Sequence, residues 1–368
     1  MKLIVLKNNL MRGLYAVEKT ISENANLPIL KNFLVEVKDK ITLISTNLEL
    51  AVKHVIAGKI IEQGEIAVPF NIFNNMVANL DSERITLEQK DRDLIISADN
   101  YEAIVHGYDP KEFPIIPSPQ NKKQSIKIKA ALLKEAVSQV IVATQYSDIR
   151  PEISGVFMNF MDKDLCFVAT DSFRLAERKI DRGEIVVNFE KINAIIPIKT
   201  AQEILRLFIN QEDEVEIFVD PNQIVFQTVG QLIVSRLIEG SFPDYLSIIP
   251  KQIKTEVSVS RRELLSAVKL TSAFSGRASD ITLRNGENKK FLELFSSDNT
   301  LGENRYRIPT KANGTEFSVV FNWRYLLDGL KIYKGESVVL GINAPDKPVV
   351  IRGDGEQSLL YIVMPIKS

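Results

Sequence analysis

Few residues in this 368-residue chain are of types that could do chemistry, and their spacing decides against catalysis. His54 and His106, the only histidines, each lie in a strand-like run without a local metal-ligand partner. Asp91-Arg92-Asp93 resembles a two-carboxylate metal site. It sits between Lys90 and the apolar run 94–97, however, which predicts a hairpin turn. Gly353-Asp354-Gly355 joins two strands rather than a strand to a helix, so it does not suit a phosphate loop. Cys166 is the single cysteine and cannot form an intrachain disulfide; in its apolar run it reads as a buried structural thiol of a reducing cytoplasm. No hydroxyl or thiol is set beside a base as a nucleophile would be. A nuclease or nucleotidyltransferase would need carboxylates such as Asp91, Asp93 and Asp171 to converge on a metal. The spacing predicts no catalytic residue, no metal and no cofactor.

The elements that carry these residues repeat. Residues 165–180 read as a strand, a break at Thr170-Asp171-Ser172, and a second strand. The same design recurs around Thr46-Asn47, 124 residues earlier, and around Ser297-Asp298, 127 residues later. One hydroxyl–Asx pair between apolar runs is a common turn signal, but three at nearly equal spacing indicate a repeat. The periodicity of the first unit predicts a strand at 2–6 and a helix capped by Asn8 or Asn9, with Leu10, Leu14, Val17 and Ile21 on one face. A second helix starts at Val68-Pro69. The second unit opens on a lysine-rich joint at 122–129, continues with a helix over 130–143, and starts its second helix at Ile196-Pro197. The third carries helices over 260–274, capped by Ser260 with Glu263, and over 322–333. Phe113-Pro114, Phe242-Pro243 and Met364-Pro365 close the units. The expected fold is therefore α+β, with three repeated domains at 1–120, 121–251 and 252–368. Each has two helices and a mainly antiparallel sheet.

A chain of this length fits two or three domains. Its 45% hydrophobic and 25% charged composition is that of an ordinary soluble protein. The first eight residues are too short an apolar run for a signal peptide, and no later run approaches the ~20 apolar residues that span a bilayer. Charge is unevenly placed. The predicted helical segments, with Lys129 and Lys334 beside them, hold 12 basic and 5 acidic residues, a surplus of +7 in a chain of net charge −1. That segregation suits helices that face a polyanion. The helices lack the interleaved aromatics that stack single-stranded bases, so contact with a duplex backbone fits better. Open sheets leave edges to be covered, and identical copies joined edge to edge would cover them.

Three motifs together resemble the bacterial sliding clamps, the beta subunits of DNA polymerase III: Ala169-Thr170-Asp171-Ser172-Phe173-Arg174-Leu175-Ala176, Glu239-Gly240-Ser241-Phe242-Pro243-Asp244-Tyr245 and Tyr361-Ile362-Val363-Met364-Pro365-Ile366. Leu27-Pro28-Ile29-Leu30 and Phe321-Asn322-Trp323-Arg324-Tyr325-Leu326 extend the likeness over the whole chain. The resemblance implies the DNA clamp fold in a head-to-tail, ring-forming homodimer. Such a ring encircles double-stranded DNA without sequence preference and tethers the replicative DNA polymerase as a non-catalytic processivity factor. It also implies a groove between domains 2 and 3 that binds short peptides of the polymerase, the clamp loader and repair proteins. Carried over, its wall is Ile153, Thr170, Ser172, Phe173, Arg174, Leu175, Pro243, Ser247, Ile248, Tyr325, Ile362, Met364, Pro365 and Ile366. The implied DNA-facing set is Arg12, Lys134, Arg150, Lys199, Arg206 and Arg277, and Phe274 stands at the implied subunit boundary.

Some positions depart from the family pattern. Phe173 stands where histidine is frequent, Ser247 where arginine is frequent, and Lys367-Ser368 replaces a more apolar end. Asn24 and Asn71 take places usually held by basic residues. The competing class is a β-rich scaffold or binding module that does not engage DNA.

Overall fold

The hydroxyl–Asx pairs at Thr46 and Thr170 fold into the same hydrogen-bonded turn, and the third shares its Asx half. Thr170 Oγ1 donates to the Arg174 carbonyl at 2.7 Å and accepts from the Ser172 amide at 3.1 Å, while Asp171 Oδ1 accepts from the amides of Phe173 and Arg174 at 2.9 and 3.0 Å. Thr46 and Asn47 make the matching set with Leu48, Glu49 and Leu50. Asp298 accepts from the amides of Thr300 and Leu301. Such turns satisfy backbone groups locally, so the strands on either side of Thr46 and Thr170 close as tight hairpins. Leu48 and Ser172 hold positive φ values of 74° and 77° at equivalent places. The computed structural model in which these bonds are seen describes all residues except 23–26, 123, 162, 190, 209, 211, 286–289 and 367–368.

Six helices are present among the described residues: α1 Lys7–Val17, α2 Phe70–Asn79, α3 Ala130–Val140, α4 Ile198–Leu207, α5 Arg261–Ser272 and α6 Trp323–Lys331. Asn8 and Asn9 do not cap α1. They lie inside it, and Leu6 is the cap residue without a side-chain bond. The first amide of α1 donates instead to the Glu83 carbonyl at 2.9 Å. Those of α3 and α5 do the same to Asp213 and Glu336. A distant carbonyl thus takes the first amide of one helix in each repeat, and in α1 it does so without a side-chain cap. Ser260 and Asn322 do cap α5 and α6. Pro69 and Pro197 end the strands Gly64–Pro69 and Lys191–Pro197 and serve as the cap residues of α2 and α4.

The chain forms two compact units, one of Met1–Ala130 with Asn210–Leu237 and the other of Ala131–Ile209 with Ile238–Ser368. In the first, Gly58–Glu62, Lys2–Leu6, Arg84–Lys90, Asp93–Ala98 and Tyr101–His106 lie side by side in one antiparallel sheet. A second sheet runs from Ile126–Lys129 through Glu214–Val219, Gln223–Gln227 and Gln231–Arg236 to Leu50–Ile56, Ile41–Thr46, Asn32–Val37 and Gly64–Pro69. The register Val234↔Ala51 makes one sheet of strands from two repeats. Gly13 lets α1 lie directly on it, because a β-carbon there would come within 2.6 Å of Ile56 and 2.7 Å of Leu43.

The second unit repeats the arrangement. Lys191–Pro197, Gly155–Met161, Asp164–Thr170 and Arg174–Asp181 continue through Leu359–Val363 into Val349–Gly353, Ser337–Ile342, Thr255–Ser260 and Lys311–Asn313. The joint is the antiparallel pair Arg174–Asp181 and Leu359–Val363, in register at Leu175↔Ile362. Gly302–Pro309, Phe291–Asp298, Asp280–Asn285 and Ser318–Asn322 form a separate four-stranded sheet. Gly329 of α6 faces Tyr361 of the joint so closely that a β-carbon would overlap the ring. The Tyr361 hydroxyl donates to the Tyr325 carbonyl at 2.8 Å, which fixes α6 on the strand below it.

Candidate partner-binding groove and DNA-facing helices

The strand joint and the segment after Phe242 build one site. Leu175 and Ile362 lie in a buried cluster with Val168, Tyr245, Val350 and Leu360, flanked by Phe157, Phe242 and Ile249. Both are therefore core as well as wall. Tyr245 anchors the turn Tyr245–Ile248 by donating to the Glu177 carboxylate at 2.8 Å, both groups being buried. Burial, then the Glu177 charge, pushes the Tyr245 hydroxyl above its ordinary pKa. The same two causes, in that order, push the half-buried Cys166 thiol up to about 12, so it is protonated and unreactive at neutral pH. Anchored in this way, the turn leaves Ser247 and Ile248 exposed, with Pro243 half-buried before it.

The opposite rim is the Thr170–Arg174 turn and the chain's end. Met364 donates its amide to the Phe173 carbonyl at 2.8 Å, and Ile366 donates to the Val320 carbonyl at the same distance. Thus the last strand's ladder runs on to Met364, and a bond to the four-stranded sheet fixes Ile366, with Pro365 between them. Lys367 and Ser368 lie outside the described residues. Arg174 is not a free wall residue. Its guanidinium, 11% exposed, donates to Asp171 at 2.9 Å and to Asp328 of α6 at 2.8 Å, and lies 4.5 Å from the Tyr325 ring centroid. Phe173, 58% exposed, stacks on Tyr325 at 6.3 Å and 19°. Thr170 and Ile153 are buried, Ser172 is exposed, and Thr144 donates to the Ile153 carbonyl. The site is a packed apolar floor with exposed Phe173, Ile248 and Ile366 and adaptable Met364 around it, a form that suits apolar anchors of a peptide.

The basic residues fall into two groups. Arg12 of α1, Lys199 of α4 and Arg277 are exposed, and Lys134 of α3 is half-buried. Arg206 and Arg150 are engaged. Arg206 Nε donates to both oxygens of Glu203 at 3.1 and 3.0 Å, with the side chains only 13% and 8% exposed. Arg150 donates to Glu152 at 3.1 Å and to Ser172 Oγ at 2.9 Å, which brings it to the groove's rim. The six helices together carry ten basic and four acidic residues. Asn71 is exposed on α2, and Asn24 lies outside the described residues. Phe274 is half-buried in the turn after α5, which ends two residues before it.

Sequence reasoning missed a charged cluster. Glu293, 3% exposed, accepts from Arg284 at 2.7 Å and Arg307 at 2.8 Å, with Arg305 at 3.8 Å, on one face of the four-stranded sheet. Strict alternation along 291–298 and 302–309 was the available signal, since it puts Glu293, Arg305 and Arg307 on one face. Each histidine makes one side-chain contact, and His106 is exposed. His54 Nδ1 lies 3.0 Å from Gln231 and His106 Nδ1 lies 2.8 Å from Asp93. Among the described residues no three His, Cys, Asp or Glu side chains gather as a metal would require.

Among the described residues, four antiparallel sheets and six helices, with the same turn at Thr46 and Thr170, make up the DNA clamp fold. Family models match the chain as the N-terminal domain of the DNA polymerase III beta subunit at residues 1–117, its central domain at 127–244 and its C-terminal domain at 246–367. A curated beta sliding clamp from Synechococcus elongatus is 26% identical, over all of this chain and 99% of that one. The crystal structure of the DNA polymerase sliding clamp from Bacillus subtilis superposes with a TM-score of 0.94 at 25% identity, covering 100% of this chain and 99% of that one. The beta subunit from Thermotoga maritima gives 0.90 at 26% identity, with the same coverage. The chain belongs to the DNA polymerase III beta-subunit family. It is a sliding clamp, a processivity factor without catalysis of its own.

Proposed function

We propose that two copies of this chain close head to tail into a ring around duplex DNA in the cytoplasm, with domains at 1–120, 121–251 and 252–368. The ring holds the replicative polymerase, the clamp loader and repair proteins by short peptides bound in the groove. Among the described residues, Tyr101–His106 ends one sheet, with Ile104 59% exposed, and Gly302–Pro309 ends another. Pairing of the first edge on one copy with the second on the next buries both liabilities and closes on two copies. Phe274 belongs to that boundary on this reading. Its helix is tied to the edge strand by the Thr271–Asn304 hydrogen bond at 3.1 Å. Arg12, Lys134, Lys199 and Arg277 supply phosphate contacts without reading bases.

The observation that carries the tethering role is the tail bonded to the Thr170–Arg174 turn, with apolar side chains left exposed around it. One leucine or phenylalanine anchor contributes ~1.5–3 kcal/mol, and two anchors offset by peptide ordering give affinities of roughly micromolar strength. Deletion of residues 364–368 removes one rim while the helices and sheet edges remain. The truncated protein is expected to dimerise yet lose polymerase-derived peptides in fluorescence anisotropy. Undiminished peptide binding by the truncated form would place the groove elsewhere.

A further inference from the structure

Phe173 is a large apolar side chain left mostly in water beside a buried cluster. Its backbone is pinned on both sides, its amide donating to Asp171 at 2.9 Å and its carbonyl accepting from Met364 at 2.8 Å. The ring stacks on Tyr325, whose own carbonyl is held by Tyr361. Arg174 then fixes Tyr325 by lying against its ring while bridging Asp171 of the turn and Asp328 of α6. Two rings from different elements are thus pre-organised before any ligand arrives, which removes much of the ordering cost of stacking a third.

We infer that Phe173 and Tyr325 form a stacking platform, and that the groove selects a partner peptide with an aromatic side chain over Phe173. The inference rests on the peptide-groove reading of the site and adds the chemistry of its preferred occupant. A flat cationic side chain stacks on rings equally well, but two features disfavour it. Arg174 already occupies the Tyr325 π-system, and the Arg150 guanidinium stands one residue away, 2.9 Å from Ser172 Oγ. A glutamine or alanine gains nothing from an aromatic face beyond contact area. An aromatic ring gains offset stacking without charge repulsion.

The test uses the full-length protein and short peptides bearing leucine and phenylalanine anchors, with tyrosine, glutamine, arginine or alanine at each flanking position in turn. At one position tyrosine is expected to bind ~3- to 10-fold more tightly than alanine by fluorescence anisotropy, with arginine no better than alanine. Phe173→Ala, a change at an exposed side chain, is expected to erase that gain, so that the tyrosine and alanine peptides bind the variant equally. Equal binding of tyrosine and alanine peptides at every position, or a gain that survives Phe173→Ala, overturns the platform but not the groove. Failure of every peptide to bind the unaltered protein overturns both.

Discussion

Glu293 shows how much one residue decides. Burial alone would raise its carboxyl pKa, but hydrogen bonds from Arg307 and Arg284 and the charges of Arg284 and Arg305 outweigh burial and hold it below the ordinary 4.5. A depressed carboxyl contributes stability that is complete above the unfolded value and disappears as pH falls through the lower folded one. Glu293→Gln is expected to cost about 1–2 kcal/mol in urea unfolding at pH 7, near the low end for charged hydrogen bonds because the arginines are half-exposed and return readily to water. The deficit should shrink as pH drops below 4.5, where the unaltered protein protonates too. A deficit of equal size at pH 3 and pH 7 would mean that the ion pairs contribute nothing and packing everything. Cys166 stands at the other extreme, an inert thiol whose burial beside Glu177 makes it structural.

The same weighing applies to whole elements. Helix α4 presents two basic residues with different fates. Lys199 is exposed, whereas Arg206 is spent on Glu203. Lys199→Glu is expected to lower the slope of log affinity against log salt for duplex DNA by about one phosphate contact per copy. Arg206→Ala should leave that slope alone and instead cost about 1–3 kcal/mol, because the Glu203 carboxylate stays buried without its partner. A slope reduced by Arg206→Ala but not by Lys199→Glu would reverse the assignment. The i, i+3 spacing of Glu203 and Arg206 was legible in the sequence, but the burial that makes the pair costly to break was not. The turns at Thr46 and Thr170 were legible because their hydrogen bonds are local. The start of α1 was not, because its first amide is satisfied by Glu83, 76 residues away, and no local cap is needed. The strand Gly58–Glu62 also escaped the reading. It is an edge whose exposed residues lack a clear alternation, and pairing with Lys2–Leu6 holds it in place. In the groove, Leu175, Ile362 and Met364 came from the family resemblance, since their identities alone read as ordinary core. The capture of Arg174 by Asp328, 154 residues away, depends on tertiary structure alone.

For the molecule as a whole, charge and topology have separate roles. A net charge of −1 disfavours indiscriminate binding to a polyanion, while the helices carry a local basic surplus. A closed ring does not need tight contacts, because linkage rather than affinity holds it. The measurement that bears most directly on the account is retention on DNA of different topology, with the protein loaded by its clamp loader onto a nicked circular duplex. Gel filtration is expected to carry the protein with the circle, a single restriction cut to release it, and Phe274→Asp, a folded monomer by sedimentation and circular dichroism, never to be retained. Equal retention on circular and linear duplex would contradict encirclement and leave ordinary surface binding in its place.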